Sequence, residues 1–248
     1  MELSLEVFRH VPHLRDRILH PGQSRFRKLD YNMIDANARE AGLGENWRRT
    51  HEEREETRVA ALKNRAGKDV WIFAYGSLMW DPGFVFEEVR MANVAGYSRK
   101  FCLVTEIGRG SPQMPGLMAA LDHGGSCQGL VFRITADAVE TETRIIWERE
   151  MITWGYVPTF VSAQTDDGTI EALTFVANPD GDRYKPNASP DEAAQMIVTG
   201  SGFLGRNIDY LENLNAQLEL LGLHDEDCVD LQRRARKLIA SYPPSDAL

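Results

Sequence analysis

Residues 69–80 read "DVWIFAYGSLMW", a short and almost unbroken apolar run stopped by Gly76 and Ser77. A run of this length, bounded by turn residues, predicts a buried strand that ends in a tight turn. The sequence changes character here. Residues 1–68 are mostly charged or polar, whereas further strand-like segments follow at 89–94, 99–105, 117–121, 127–134, 156–164 and 169–177. The last two flank "TDDG" (165–168), which predicts a hairpin. Helical patterns then dominate, at about 190–199, 207–222 and 225–241, after an earlier helix at about 136–151. Pro190 followed by two acids marks a helix start, and "PDGDRYKPNASP" (179–190) reads as a surface loop. Strands first and helices crowded toward the end predict an α+β fold: a curved, mostly antiparallel sheet or small β-barrel with helices around it.

Two domains' worth of composition are visible. Residues 1–68 read as a charged, largely helical extension, with "ENWRRTHEEREETRVAALKNRAG" (45–67) as a solvated helix ended by Gly67 and "HPGQSRFRKLDYN" (20–32) as loop. Residues 69–248 read as the domain that carries the chemistry. The formal net charge of −9 argues against nucleic-acid binding as the main task, since an acidic surface repels phosphate backbones. No apolar run approaches the roughly 18–20 residues of a membrane span, and the charged start lacks the pattern of a secretory signal. Both point to a cytoplasmic protein. The three cysteines, Cys102, Cys127 and Cys228, form no CxxC and read as reduced, structural thiols.

Candidate chemistry centres on "IIWEREMITWGY" (145–156). On a helix over 136–151, Val139, Thr143, Ile146 and Trp147 share one stripe, and Glu150 is its next member, while Glu148 faces away. Glu150 is therefore expected as the one acid turned toward the core, at the helix's negative end. Burial and the dipole both raise a carboxyl's pKa there, which suits a general acid or base near neutral pH. Two other readings stand beside it: an ion pair with Arg149 or Arg133, or an early helix end that leaves Glu150 in water. Gly76-Ser77 after a buried strand is either a plain turn or a nest of backbone N–H groups for an anionic oxygen. "GSGFLG" (200–205) matches G-x-G-x-x-G but follows a helical segment rather than a strand, so a dinucleotide site is not expected. No histidine spacing supports a metal, and no histidine suits a Ser-His-Asp triad.

Taken in order, "VWIFAYGSLMW", "GYSRKFCL", "PGLMAALDHGGSCQGLVFRI", "IIWEREMITWGYVPTF" and "GFLGRNIDYL" resemble the ChaC-type γ-glutamylcyclotransferases, over about residues 70–241. The resemblance implies that family's fold and the conversion of glutathione to 5-oxoproline and Cys-Gly, without cofactor or metal. It implies that Ile72, Phe73, Ala74, Tyr75, Gly76, Ser77 and Leu78 form the γ-glutamyl-binding strand and loop. It also implies that Glu150 is catalytic, and that Arg99 and Tyr210 lie near the pocket. Ala74 stands where the family often has a second glycine, which is harmless if its backbone angles are ordinary. Other γ-glutamyl compounds as substrates, and a non-catalytic binding role, remain as alternatives to glutathione cleavage.

Overall fold

The computed structural model describes residues 4–241, which divide into two compact units. Of the described residues, the first comprises 4–31, 46–99 and 120–182; the second comprises 32–45, 100–119 and 183–241. Five strands close a barrel in the order β1-β3-β2-β4-β5: β1 Val70–Ala74, β2 Glu88–Thr105, β3 Gly116–Ile134, β4 Tyr156–Thr165 and β5 Gly168–Ala177. β1 pairs antiparallel with β3, β2 with β4 and β4 with β5, whereas β5 meets β1 and β3 in parallel. The fold is α+β, as expected. The β4–β5 hairpin turns at residues 165–168 in the register Thr165↔Gly168.

Two pairs of expected strands are each one long strand. Gly96 breaks the apolar pattern of β2, and Gly124 with Gly125 breaks that of β3, but all three lie at positive φ within continuous strands. Glycine in a strand often marks a bend or bulge rather than an end.

Within the first unit the barrel core packs Phe73, Tyr75, Val94, Leu121, Val131, Val161 and Val176. Burial of both faces of β1 explains its nearly continuous apolar run: the consecutive residues Ile72, Phe73 and Ala74, whose side chains alternate between the faces, are all fully buried. Gly129 on β3 lets this strand close on its neighbour, since a Cβ there would lie 2.2 Å from the Ala74 carbonyl oxygen. Helix α3, Val139–Glu150, packs on the barrel with the Trp147 ring edge-on to Phe175 on β5 at 5.2 Å.

The segment before the barrel differs from expectation. Residues 45–67 form a shorter helix, α2, His51–Leu62, started by a capping box of Thr50 and Glu53. It is not solvated all round. Arg54 and Arg58 are buried, and Arg58 donates to Glu55, Glu140 and the Thr143 hydroxyl. The Trp147 indole donates to the Thr57 hydroxyl at 3.1 Å. Charge at helical spacing was read as surface, yet here it is the ion-paired seam between α2 and α3. The stretch read as loop holds two short 3-10 turns, Pro21–Gln23 and Arg25–Lys28, and the start of helix α1, Tyr31–Glu40.

The second unit has its own core, in which α4 (Pro190–Thr199), α5 (Asn207–Leu220) and α6 (Glu226–Ser241) bury Ala194, Ile197, Ile208, Leu211 and Leu231 around Leu117. Its "GSGFLG" is a two-residue ladder, Ser201–Gly202 with Gly205–Arg206. A side chain on Gly202 would meet the Gly110 carbonyl oxygen at 2.3 Å, and Gly205 has φ +100. Packing and turning account for these glycines. Cys102, Cys127 and Cys228 are all buried and none is in a disulfide. Among the described residues, no helix is long and apolar enough to cross a membrane.

Candidate active site

Helix α3 ends at Glu150, with Met151 as its buried C-cap. The stripe read from the sequence is real: Thr143, Ile146 and Trp147 are buried. Glu150 is mostly enclosed, its side chain 16% exposed, and Arg149 beside it is 6% exposed. Their charged groups meet, Arg149 Nε to Glu150 Oε1, at 3.1 Å. The ion pair and the inward-facing acid are therefore the same arrangement. Burial raises the Glu150 pKa, and the Arg149 charge pulls in the other direction without cancelling that rise.

Glu150 is not the only acid turned inward. Glu142, one turn from the helix start, is 4% exposed. Arg27 grips it with two hydrogen bonds of 2.6 and 2.8 Å, and the Val85 N–H donates to it at 2.7 Å. Its place three residues after Val139 on the same stripe was the available signal, and the expectation that Glu150 is the one acid turned toward the core is corrected by it. Arg133, the other partner considered for Glu150, instead binds Asp69 and Glu88.

Arg149 joins the catalytic candidate to the loop after β1. One terminal nitrogen donates to the Ser77 hydroxyl oxygen at 2.8 Å, and the other donates to the Asp81 carbonyl. The loop is tight: Met79 N–H donates to the Gly76 carbonyl, and Trp80 and Asp81 N–H groups to that of Ser77. Oδ1 of Asp81 is shut from solvent with no hydrogen-bond partner. Sequence reasoning treated Arg149 only as a possible counter-ion, because nothing in a sequence shows that one guanidinium spans both elements.

The other expected site residues divide. Ile72, Phe73 and Ala74 lie in the barrel wall; Ala74 has an ordinary backbone, since the described residues include no non-glycine at positive φ. Tyr75 is buried, and its hydroxyl donates to the Phe175 carbonyl at 2.6 Å. Gly76, Ser77 and Leu78 form the loop just described. Arg99 is buried, and donates to the carbonyls of Tyr75 and Gln128 at 2.7 Å each, so it braces the end of β1. Tyr210 belongs to the second unit, buried on α5 with its ring 5.9 Å from Phe101. The first unit thus brings together Tyr75, Gly76, Ser77, Leu78, Arg99 and Glu150.

A model of ChaC-like proteins matches residues 70–238. The chain belongs to the ChaC-like family. Within this family it is similar to the glutathione-specific gamma-glutamylcyclotransferase of Escherichia coli (strain K12), 39% identical over 180 residues, 72% of this chain and 78% of that protein. The human glutathione-specific gamma-glutamylcyclotransferase 1 is 34% identical over 163 residues, 64% of this chain and 73% of the human protein. Among solved structures, a γ-glutamyl cyclotransferase specific to glutathione from yeast covers 71% of this chain and 99% of its own, with a TM-score of 0.64 and 18% identity. That likeness establishes the fold of this ChaC-like chain.

Proposed function

We propose that this protein is a γ-glutamylcyclotransferase that cleaves glutathione to 5-oxoproline and Cys-Gly. Identity of 39% to a bacterial protein named for that activity carries the reading. The enclosed Glu150, held against the loop after β1, supports it from the chemistry.

Glutathione carries a free α-amine on its γ-glutamyl group. Attack of that amine on the γ-carbonyl closes a five-membered ring and breaks the bond to Cys-Gly. Because the attack is intramolecular, the protein's work is to hold the folded conformer and to manage protons. The amine is mostly protonated at neutral pH and attacks only after losing that proton. Glu150, as carboxylate, takes it, and then returns it to the departing Cys-Gly amine. Such acid–base help is worth about 10²–10⁴ in rate. A carboxyl raised by burial is a stronger base than an exposed one. Arg149 opposes that rise, because its charge favours the carboxylate form. Backbone N–H groups of Gly76, Ser77 and Leu78 receive the substrate's carboxylate or the developing oxyanion.

The test is to incubate purified protein with reduced glutathione and quantify both products by mass spectrometry, with Glu150→Gln beside it. Both products from wild type and a loss of at least about 100-fold in kcat from the variant are expected. No product from folded wild type sinks the glutathione reading. A variant that keeps more than about a tenth of wild-type kcat removes Glu150 from the base role.

A further inference from the structure

The residues before the barrel carry no motif for chemistry, yet they enclose the Arg149–Glu150 end of α3. The Phe26 ring lies under the Arg149 guanidinium, 4.0 Å from ring centroid to the central carbon. Phe26 is itself fixed: its N–H donates to the Ser24 hydroxyl at 3.1 Å, and Arg25 lies over the same ring at 5.2 Å. The next residue, Arg27, clamps the buried Glu142 and also donates to the Gly83 carbonyl. The Tyr31 hydroxyl donates to the Glu148 carbonyl at 2.7 Å. Farther along, Arg49 N–H donates to the Ile152 carbonyl at 2.8 Å. Leu19 N–H donates to the Trp80 carbonyl at 2.8 Å, on the loop after β1. All these residues belong to the first unit.

Of these residues, Phe26 is the one that touches the Arg149 side chain itself. Arg149 needs its direction set, since it reaches Glu150, Ser77 and the Asp81 carbonyl at once. Those polar contacts constrain the edge of the guanidinium, and a stacked ring constrains its face. An arginine over an aromatic ring is attracted by the negative face of the ring, more strongly where water is excluded. We propose that Phe26 is a positioning residue for catalysis: it holds Arg149 in the plane that orients Glu150 and the Ser77 loop, so that residues 19–31 complete the active site. The inference rests on the proposed base role of Glu150.

The charged groups that the contacts place around this assembly are the carboxylates of Asp81 and Glu142 and the guanidiniums of Arg25, Arg27, Arg49 and Arg149, with Arg48 and Arg54 over the Tyr31 ring. Only Arg149 is in ion-pair contact with Glu150 among the described residues. A looser Arg149 therefore leaves the burial of Glu150 in place and weakens its one opposing charge. The Glu150 titration then moves to higher pH.

The test uses the full chain with Phe26→Leu, Phe26→Ala and Phe26→Tyr. Leucine keeps apolar volume without a ring face, and Phe26 is only partly buried, so Phe26→Leu is expected to fold. Kinetics on glutathione across pH are paired with carboxyl ¹³C NMR titration of Glu150, which needs no turnover. Phe26→Leu and Phe26→Ala are expected to lose about tenfold in kcat, with KM within about threefold, as misplacement near the chemistry does. The Glu150 titration is expected to rise by about half a pH unit or more. Phe26→Tyr is expected to restore both. A folded Phe26→Leu with wild-type kcat and an unmoved Glu150 titration overturns the proposal. If wild type leaves glutathione intact, the glutathione reading fails, and the NMR titration alone still decides whether Phe26 governs the Arg149–Glu150 pair.

Discussion

Glu150 holds two opposed properties at one carboxyl group. Burial favours its neutral form, and Arg149 favours its charged form, with burial prevailing. For activity, the carboxylate is the working form, so turnover falls as pH drops through the raised folded-state pKa. Replacing Arg149 with methionine removes the charge and keeps apolar volume. The acid limb of kcat/KM is expected to move upward by about one pH unit, the lower end of what a nearby opposite charge contributes. A pH–rate profile checks this; an unmoved acid limb would remove Arg149 from the tuning of Glu150. For stability the sign is the reverse of the usual paired acid. A carboxyl whose folded pKa is raised costs stability when ionised, and that cost disappears as pH falls through the folded pKa. The neutral amide of Glu150→Gln never carries it. The melting temperature of Glu150→Gln relative to wild type is therefore expected to decline as pH falls through the raised folded-state pKa of Glu150. Parallel thermal melts check the trend, and a flat difference would mean that Glu150 is not desolvated.

At the scale of single elements, α3 shows what was legible and what was not. Its apolar stripe identified Ile146, Trp147 and Glu150 as one face because 3.6-residue periodicity is local information. The burial of Glu142 was not legible, since it depends on Arg27 arriving from 115 positions away. The same limit applies to α2: Arg58 looks like surface charge until α3 supplies Glu140 and Thr143. Likewise Gly96, Gly124 and Gly125 looked like strand ends, because positive φ and a turn share the same residue preference. The loop after β1 stood out in the sequence, but the Arg149 link that ties it to α3 did not. Glu142 makes a sharp test of these long-range contacts. Glu142→Ala strands the Arg27 guanidinium and the Val85 N–H, and removing one member of a buried pair costs about 3 kcal/mol or more. Arg27→Leu with Glu142→Leu removes both charges and is expected to cost less than Glu142→Ala alone. Denaturant unfolding of the single and double variants measures the difference. A Glu142→Ala loss within about 0.5 kcal/mol would show that the pair is no more than a surface contact.

Across the first unit as a whole, paired carboxylates tie the residues before the barrel to its strands and to α3. Glu88 on β2 is buried. Desolvation alone would raise its pKa, but hydrogen bonds from Arg90 and Arg9 outweigh this and hold it below the usual carboxylate range. Arg133 also binds it at 3.1 Å. On α2, hydrogen bonds from Arg58 and then Arg144 hold Glu55 at about 2, against the opposing effect of burial. Both acids have depressed folded-state values, so their contribution is present above the unfolded pKa, about 4.3 for glutamate, and is lost as pH falls through the folded one. Glu55 then loses its part between about pH 4.5 and pH 2. Stability is expected to be level in this respect above about pH 5 and to fall steeply below it. Glu55→Gln isolates one member of the network. The glutamine accepts from Arg58 without titrating, so its unfolding free energy is expected to lie below wild type at pH 7. The gap should close by pH 2–3, where wild-type Glu55 becomes protonated. Urea titrations of both proteins at pH 7, 4 and 2.5 measure the gap directly. A gap that stays constant across that range would mean that Glu55 is no more strongly paired in the folded chain than in the unfolded one, and that the seam between α2 and α3 is held by Trp147 and Thr57 rather than by charge.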